Sequence, residues 1–386
     1  MIIKSVRGKK IKDSRGDFTV EVSIETDVGK FKSSAPNGKS KGKHEAKSYR
    51  KNLEEDIKNL GKLSDYFSSE HLEKFDDLRR IEDIAERQVG ANTMFALESA
   101  ALKAMAKEQG LDVWELINDA AKTIPRLVGN CIGGGKHSED INGRKPDFQE
   151  FLLIPKENSA IESFDENKEG KKNTEFLLKQ NDKKFKSTRN DENAWMTSLG
   201  DKDVLDVLRK LKIPLGLDVA ASLFYKRKKY HYFNPKLDRT NEEQLLYLSN
   251  LIKNFGIFYI EDPFGEEEFE DFAKLLKKFP KSLIVGDDLT VTNYKRLEKA
   301  IEMKAINAII VKPNQNGSLV KVKRVVELAK KNKIKIIFSH RSGETEESIL
   351  ADLAFGFGAD FIKCGITGKE REIKINRLIE IENGLK

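Results

Sequence analysis

Apolar residues recur along this chain in two rhythms. From residue 205 onward, short β-branched runs (IPLGLDVAA, GIFYIEDP, SLIVGDDLT, INAIIVKPN, KIKIIFSHRS and DFIKCGI) alternate with longer stretches apolar at every third or fourth position, such as EEQLLYLSNLIKNF, NYKRLEKAIEMK and SLVKVKRVVELAKKN. The short runs predict strands buried on both faces, and the longer ones amphipathic helices packed over them. Six strand–helix units in succession predict a parallel sheet. Upstream, TIPRLVGNCI (123–132) and PDFQEFLLIP (146–155) read as two more strands, joined by the glycine-rich, polar GGGKHSEDINGRK. Eight strands point to a closed α/β barrel rather than an open sheet.

The first 120 residues have a different texture. KSVRGKKIKDSRGDFTVEVSIETDVGKFKSSA predicts an antiparallel meander turning at Arg15-Gly16 and Val28-Gly29. NTMFALESAALKAMAKEQG predicts a helix that Gly110 closes as a C-cap. The expected division is a small α+β domain over 1–122 and the barrel over 123–386. The charge-rich segment from about 156 to 200 shows no clear repeat and is expected as helices or connections packed outside the barrel.

Composition narrows the class. A hydrophobic content of 38% over 386 residues can fill a large globular core. The net charge of +7 arises from 70 basic residues against 63 acidic ones, and Lys and Glu interleave along the helices, the pattern of a solvated surface. No basic stretch alternates with aromatics, which argues against specific nucleic-acid binding. Cys131 and Cys364 make neither a disulfide framework nor a metal knuckle, so reduced thiols are expected. No apolar stretch approaches the roughly 20 residues of a membrane span, and MIIKSVRGKK lacks the apolar run of a signal peptide. A soluble, cytoplasmic protein without membrane insertion is the expectation.

Candidate chemistry lies at the strand ends. Active sites of α/β barrels sit at the C-terminal ends of the strands. Here those ends carry Asp218, Glu261, Asp287, Lys312, the His340-Arg341-Ser342 group and Lys363. From Glu261 onward the polar residues recur every 23 to 28 positions, one per βα unit at the same phase. One carboxylate there is most often a solvated loop residue, but six successive strands ending in charge are not explained that way. Asp218, Glu261 and Asp287 would bring three hard oxygen donors to one rim, unfavourable without a cation. Carboxylates without cysteine or clustered histidine favour Mg²⁺ over zinc. Neutralising an ordinary lysine at pH 7 costs about 4.6 kcal/mol; a nearby metal and a second cation, Lys363, would lower that cost and make Lys312 a usable base. His340, Arg341 and Ser342 together suit the gripping of a phosphate.

At these residues the chain resembles the enolase family. The resemblance covers nearly the whole length and is densest in KDSRGDFTVEV, APNGKSKGKHEA (35–46), GLDVAAS (216–222), IEDPF (260–264), GDDLTVTN (286–293), KPNQNGS (312–318) and SHRSGETE (339–346). It implies an enolase-type (β/α)8 barrel, with a ββαα(βα)6 strand pattern, behind the N-terminal α+β domain. It also implies a hydro-lyase reaction of glycolysis and gluconeogenesis, the reversible Mg²⁺-dependent dehydration of 2-phosphoglycerate to phosphoenolpyruvate. By that resemblance Lys312 is the base at C2, Glu192 in RNDENAW the general acid at the C3 hydroxyl, and Glu150 the carboxylate assisting it. Gln149, His137 and His340 line the substrate, Arg341 and Ser342 clamp its phosphate, and Lys363 meets its carboxylate. Asp218, Glu261 and Asp287 hold the tighter Mg²⁺; Ser40, on a loop that closes over the substrate, ligates a second, substrate-dependent one. Acid and base need opposite protonation states at one pH, and Glu150 beside Glu192 is expected to raise the acid's pKa. A homo-oligomer, dimer or octamer, is implied as well.

The chain departs from the family's pattern in its loops. Lys39 and Lys41 flank Ser40 where small residues are usual, and Asn193 and Ala194 stand for two glycines after the acid. Lys136 precedes His137, Gly133 stands for an Asn, and Leu223 for an acidic residue. Without glycine's access to positive φ, the loop carrying Glu192 is expected to be shaped differently. Extra positive charge at the mouth leaves two alternatives: a paralogue acting on another, more anionic carboxylate, or a non-catalytic binding or scaffold protein. The presence of every residue matched to chemistry favours the enolase reaction.

Overall fold

A computed structural model describes residues 1–39, 42–67, 70–139 and 143–385. Strands Ile3–Lys12, Phe18–Thr26 and Gly29–Ser34 form an antiparallel meander. Its turns fall where expected, at Gly16 and Gly29, both with positive φ. Along the middle strand Val20, Val22 and Ile24 are buried while Glu21, Ser23 and Glu25 are not, the period of a sheet covered on one face. The cover is helix Ala91–Gln109, which Gly110 ends in the left-handed conformation at φ 68°.

The barrel closes as expected. Strands Arg126–Gly133, Glu150–Leu153, Leu215–Asp218, Tyr259–Glu261, Leu283–Gly286, Ala308–Val311, Lys335–Ser339 and Phe361–Lys363 pair in that order, and the last pairs with the first. Glu150–Leu153 is antiparallel to both neighbours, and the remaining pairings within the ring are parallel. Between residues 156 and 200 the chain forms one long helix, Ala160–Asn181, and a two-residue strand, Trp195–Met196, beside the outer end of Arg126–Gly133. A small three-stranded antiparallel sheet at 225–239 was not expected. Its polar alternation, YKRKKYHYFNPKLDR, interrupts the apolar beat on which the barrel strands were recognised.

Side-chain alternation explains the site. Val128, Leu152, Ile154, Tyr259, Val285, Ala308, Ile310, Ile337 and Phe361 form a closed cluster inside the barrel, whereas Leu217, Ile284, Ile309, Val311, Ile336 and Phe338 pack outward with the helices. Inward positions are two residues apart. Continuing each inward row past the apolar layer reaches Glu150, Glu261, Asp287, Lys312 and Lys363 in turn. Gly216 leads to Asp218 in the same way, because its neighbours Leu215 and Leu217 face outward. The rule that fills the barrel with apolar side chains therefore loads its mouth with charge.

The N-terminal unit meets the barrel over this mouth. Asn314 donates to Asn92 at 2.9 Å, and Asn37 and Gly343 exchange backbone hydrogen bonds at 2.7 and 2.9 Å. Gly317 has φ 86°, and a Cβ there would lie 2.6 Å from Ala91 Cα. Gly317→Ala is expected to destabilise the protein by about 1–3 kcal/mol, read as a lower denaturant midpoint; an unchanged midpoint would mean that the seam yields freely.

Candidate active site

The strand ends converge on a cavity lined by ten of the expected residues: His137, Gln149, Glu150, Glu192, Asp218, Lys312, His340, Arg341, Ser342 and Lys363. Glu261 and Asp287 lie against its floor through the two lysines, and Ser40 falls outside the described residues. Lys363 Nζ stands 3.1 Å from Asp218, 2.9 Å from Glu261 and 3.1 Å from Glu150, all buried. Burial works against its charge, but these carboxylates hold its pKa well above the ordinary lysine value.

Lys312 differs from expectation. Burial would lower its pKa, but direct contact with Asp287 outweighs burial, Arg341 and Lys363 and raises it. The proton is held by the same carboxylate that would serve a metal.

The three expected metal ligands pair with lysines, Asp218 and Glu261 with Lys363 and Asp287 with Lys312. Glu261 Oε1 is buried without a hydrogen-bond partner, and burial followed by repulsion from Asp218 pushes Glu261 up to about 8. An oxygen-only set of buried carboxylates is the chemistry of Mg²⁺. Among the described residues the acids with oxygens all within 4.8 Å of one another are Asp262, Asp287 and Asp288. Asp262 is committed elsewhere: its two oxygens accept the backbone N–H groups of Asp287 and Asp288 at 3.0 and 2.7 Å, which aims the Asp287 turn at the mouth.

On the opposite side, His137 Nδ1 lies 3.3 Å from Glu192 and 3.9 Å from Glu150, with all three groups buried. Here the expected pKa order is reversed. Burial raises Glu192, but His137, His340 and Arg371 together with a 3.0 Å bond from Asn130 overcome it and hold Glu192 well below the usual carboxylate range. Burial and then the Glu192 charge raise Glu150 instead. The two carboxyls titrate as a coupled pair whose surroundings favour charge on Glu192 over Glu150.

The loop carrying Glu192 is a tight turn. Asn190 Oδ1 accepts the backbone N–H groups of Glu192 and Ala194 at 3.0 and 2.9 Å. Asn193 takes φ 62°, so the left-handed position is kept by a residue that tolerates it, without glycine. Lys171, from helix Ala160–Asn181, donates to Asn193 O and Thr367 Oγ1 and straps this turn to the loop after Lys363.

Beyond Lys312, Arg341 is buried; one guanidinium nitrogen donates to both oxygens of Glu45 at 3.0 Å and the other to Asn314 at 3.2 Å. Ser342 Oγ accepts from Arg15 at 3.0 Å and from Lys39 N at 2.9 Å. Lys39 Nζ pairs with Asp191 at 2.9 Å, and Lys43 with Glu266 at 3.2 Å. Of the lysines that depart from the family's pattern, Lys39 is thus paired with a protein carboxylate, and Lys41 lies outside the described residues. Sequence reasoning missed Asn130, Glu45, Arg15 and Arg371. Glu45 and Arg15 stand within quoted motifs, but Arg371 is one charge among many in KEREIKIN, and nothing local distinguishes it.

Comparison with known proteins gives one answer. The family model for the enolase N-terminal domain matches residues 3–117, and that for the enolase C-terminal TIM barrel domain residues 121–386. Curated relatives named enolase include one from Pyrobaculum aerophilum, 36% identical over 97% of this chain and 94% of its own length. Those from Methanosphaera stadtmanae and Archaeoglobus fulgidus are 36% and 35% identical, covering 100% and 99% of this chain and 97% of their own lengths.

A Cβ at Gly38 would lie 1.9 Å from an Arg341 guanidinium nitrogen and 2.7 Å from its Cζ. Arg341 is buried and paired with Glu45, so it cannot simply swing aside. Gly38→Ala is therefore expected to raise KM about tenfold or more with the circular dichroism spectrum unchanged; an unaltered KM would show that the clamp has slack.

Proposed function

The chain belongs to the enolase family and catalyses its glycolytic hydro-lyase reaction, interconverting 2-phosphoglycerate and phosphoenolpyruvate, and on that premise we propose a role for each residue of the cavity. Lys312 removes the C2 proton. Glu192 and Glu150, sharing one proton, protonate the departing C3 hydroxyl, and His137 between them relays or steadies that proton. Arg341 and Ser342 hold the phosphate, Lys363 meets the carboxylate, and Gln149 and His340 orient the substrate. The supporting observation is that one cavity brings Lys312, the adjoining carboxyls of Glu150 and Glu192, and the cations Arg341 and Lys363 together.

The family depends on Mg²⁺. Asp218, Glu261 and Asp287 would hold one ion, and the loop bearing Ser40 a second with substrate present. The ion supplies positive charge where the substrate carboxylate becomes more negative as C2 loses its proton. Lys312 must be neutral to act, so Asp287 has to release it before turnover. Gln315 also donates to Asp287, at 3.2 Å, and steadies the carboxylate during that exchange. Residues 1–122 form the unit that delivers the covering loop, and 123–386 the catalytic barrel. A cytoplasmic homodimer is the assembly that fits this reading, and no helix among the described residues is long and apolar enough to cross a membrane.

Stripping divalent metal with chelator is expected to abolish phosphoenolpyruvate formation, followed by ultraviolet absorbance, and added Mg²⁺ to restore it. Lys312→Ala is expected to lower kcat by about 10²–10⁴-fold while Mg²⁺ binding, measured by calorimetry, persists. Turnover within about twofold of the parent would remove Lys312 from the role of base.

A further inference from the structure

Arg371 lies on the last helix, Lys369–Gly384, and is 1% exposed. One guanidinium nitrogen donates to Arg341 O at 2.7 Å and meets His340 Nδ1 at 2.9 Å. The other donates to Ser342 O at 2.7 Å and reaches Asp191 O, the residue before Glu192, at 3.4 Å. A single side chain thus touches three consecutive residues of the phosphate clamp and the turn that carries the acid.

The contact with His340 settles a proton position. A guanidinium has five N–H donors and no acceptor, and it stays charged at every relevant pH. Nδ1 of His340 must therefore offer its lone pair, so the ring cannot carry a proton there. A neutral imidazole with a bare Nδ1 carries its hydrogen on Nε2. That nitrogen faces the cavity, 3.8 Å from Glu192 Oε2. His340 is enclosed by Arg371, Glu192, Lys363 and Lys374; burial and then Arg371 lower its pKa well below the ordinary value, and Glu192 only partly offsets them. The backbone fixes the ring further, since His340 N donates to Lys363 O at 2.9 Å.

We infer that Arg371 is a positioning residue that locks His340 as the neutral Nε2–H tautomer, making it a fixed hydrogen-bond donor aimed at Glu192 and the substrate cavity. The device is selective. A donor at Nε2 stabilises negative charge on Glu192 or on an anionic substrate oxygen, but cannot take up a proton during turnover. His340 is thereby removed from the acid–base work, leaving Glu192 and Glu150 as the proton carriers on this side. The tautomer follows from geometry alone; its effect on turnover rests on the roles proposed above, so the two are measured separately.

Long-range ¹H–¹⁵N correlation spectra of histidine-labelled protein report the tautomer of each of the 5 histidines, with His340 identified by its loss in His340→Asn. The expected result is a protonated Nε2 and a bare Nδ1, unchanged between about pH 5.5 and 8.5, a range in which an ordinary histidine titrates. A protonated Nδ1, averaged tautomers or a titrating ring would overturn the inference. Kinetics then compare Arg371→Gln with Arg371→Met, since only the glutamine amide can still donate to Nδ1. Both should lower kcat/KM by about 10–100-fold, but only Arg371→Met should release the His340 tautomer and add an ionisation to the acid limb of the pH profile. Identical profiles in the two variants, with Nε2–H intact in Arg371→Met, would reduce Arg371 to a structural brace and overturn the proposal. If either variant fails to fold, the spectrum of the parent protein still decides the tautomer.

Discussion

Asp218, Glu261 and Glu150 converge on the ammonium of Lys363, each about 3 Å away and each buried, and most of the site follows from that contact. Buried carboxylates repel one another, and removing them from water costs several kcal/mol per ion. A barrel whose inward rows end in acid needs cations supplied from inside. Lys363 and Lys312 come from strands of the same barrel and meet the acids of neighbouring and facing strands. The balance is local. Each lysine is held charged by its acids, and Glu261 remains strained toward protonation, with one oxygen unpaired.

The opposite wall follows a different principle. Glu150 and Glu192 are chemically alike, yet their surroundings separate them. Glu192 is encircled by imidazoles, an amide and the field of Arg371, while Glu150 faces other acids and a lysine already shared three ways. On the roles proposed above, one proton between them would serve both directions of a reversible dehydration, given to a leaving hydroxyl and recovered from water. The turn that presents Glu192 is rigid for local reasons: Asn190 caps it, Asn193 supplies the left-handed residue, and Lys171 ties it to the barrel.

Positive charge at the mouth raised the possibility of a more anionic substrate. Part of that charge, Lys39, is paired within the protein. Lys39 is paired with Asp191 and Lys43 with Glu266, while Arg341 pairs with Glu45 from the same N-terminal segment. These contacts draw the segment onto the barrel from both sides. The charge lining the cavity is that of Arg341, Lys312 and Lys363.

Much of this was legible in the sequence. Short apolar runs at regular spacing gave the barrel, because a strand covered on both faces has no polar side to show. The recurrence of one polar residue per βα unit singled out Glu261, Asp287, Lys312 and Lys363, and Asp218 was named because it ends its own apolar run. The polar three-stranded sheet at 225–239 and the helix Ala160–Asn181 were not resolved, since a solvated element carries little apolar pattern. Glu192 had no signal of its own in a stretch crowded with charge; only the family resemblance singled it out. Its protonation, that of Lys312, and the place of Arg371 were decided by tertiary structure. A pKa and a tautomer depend on which charges lie within a few ångströms, and those neighbours come from segments up to 180 residues apart.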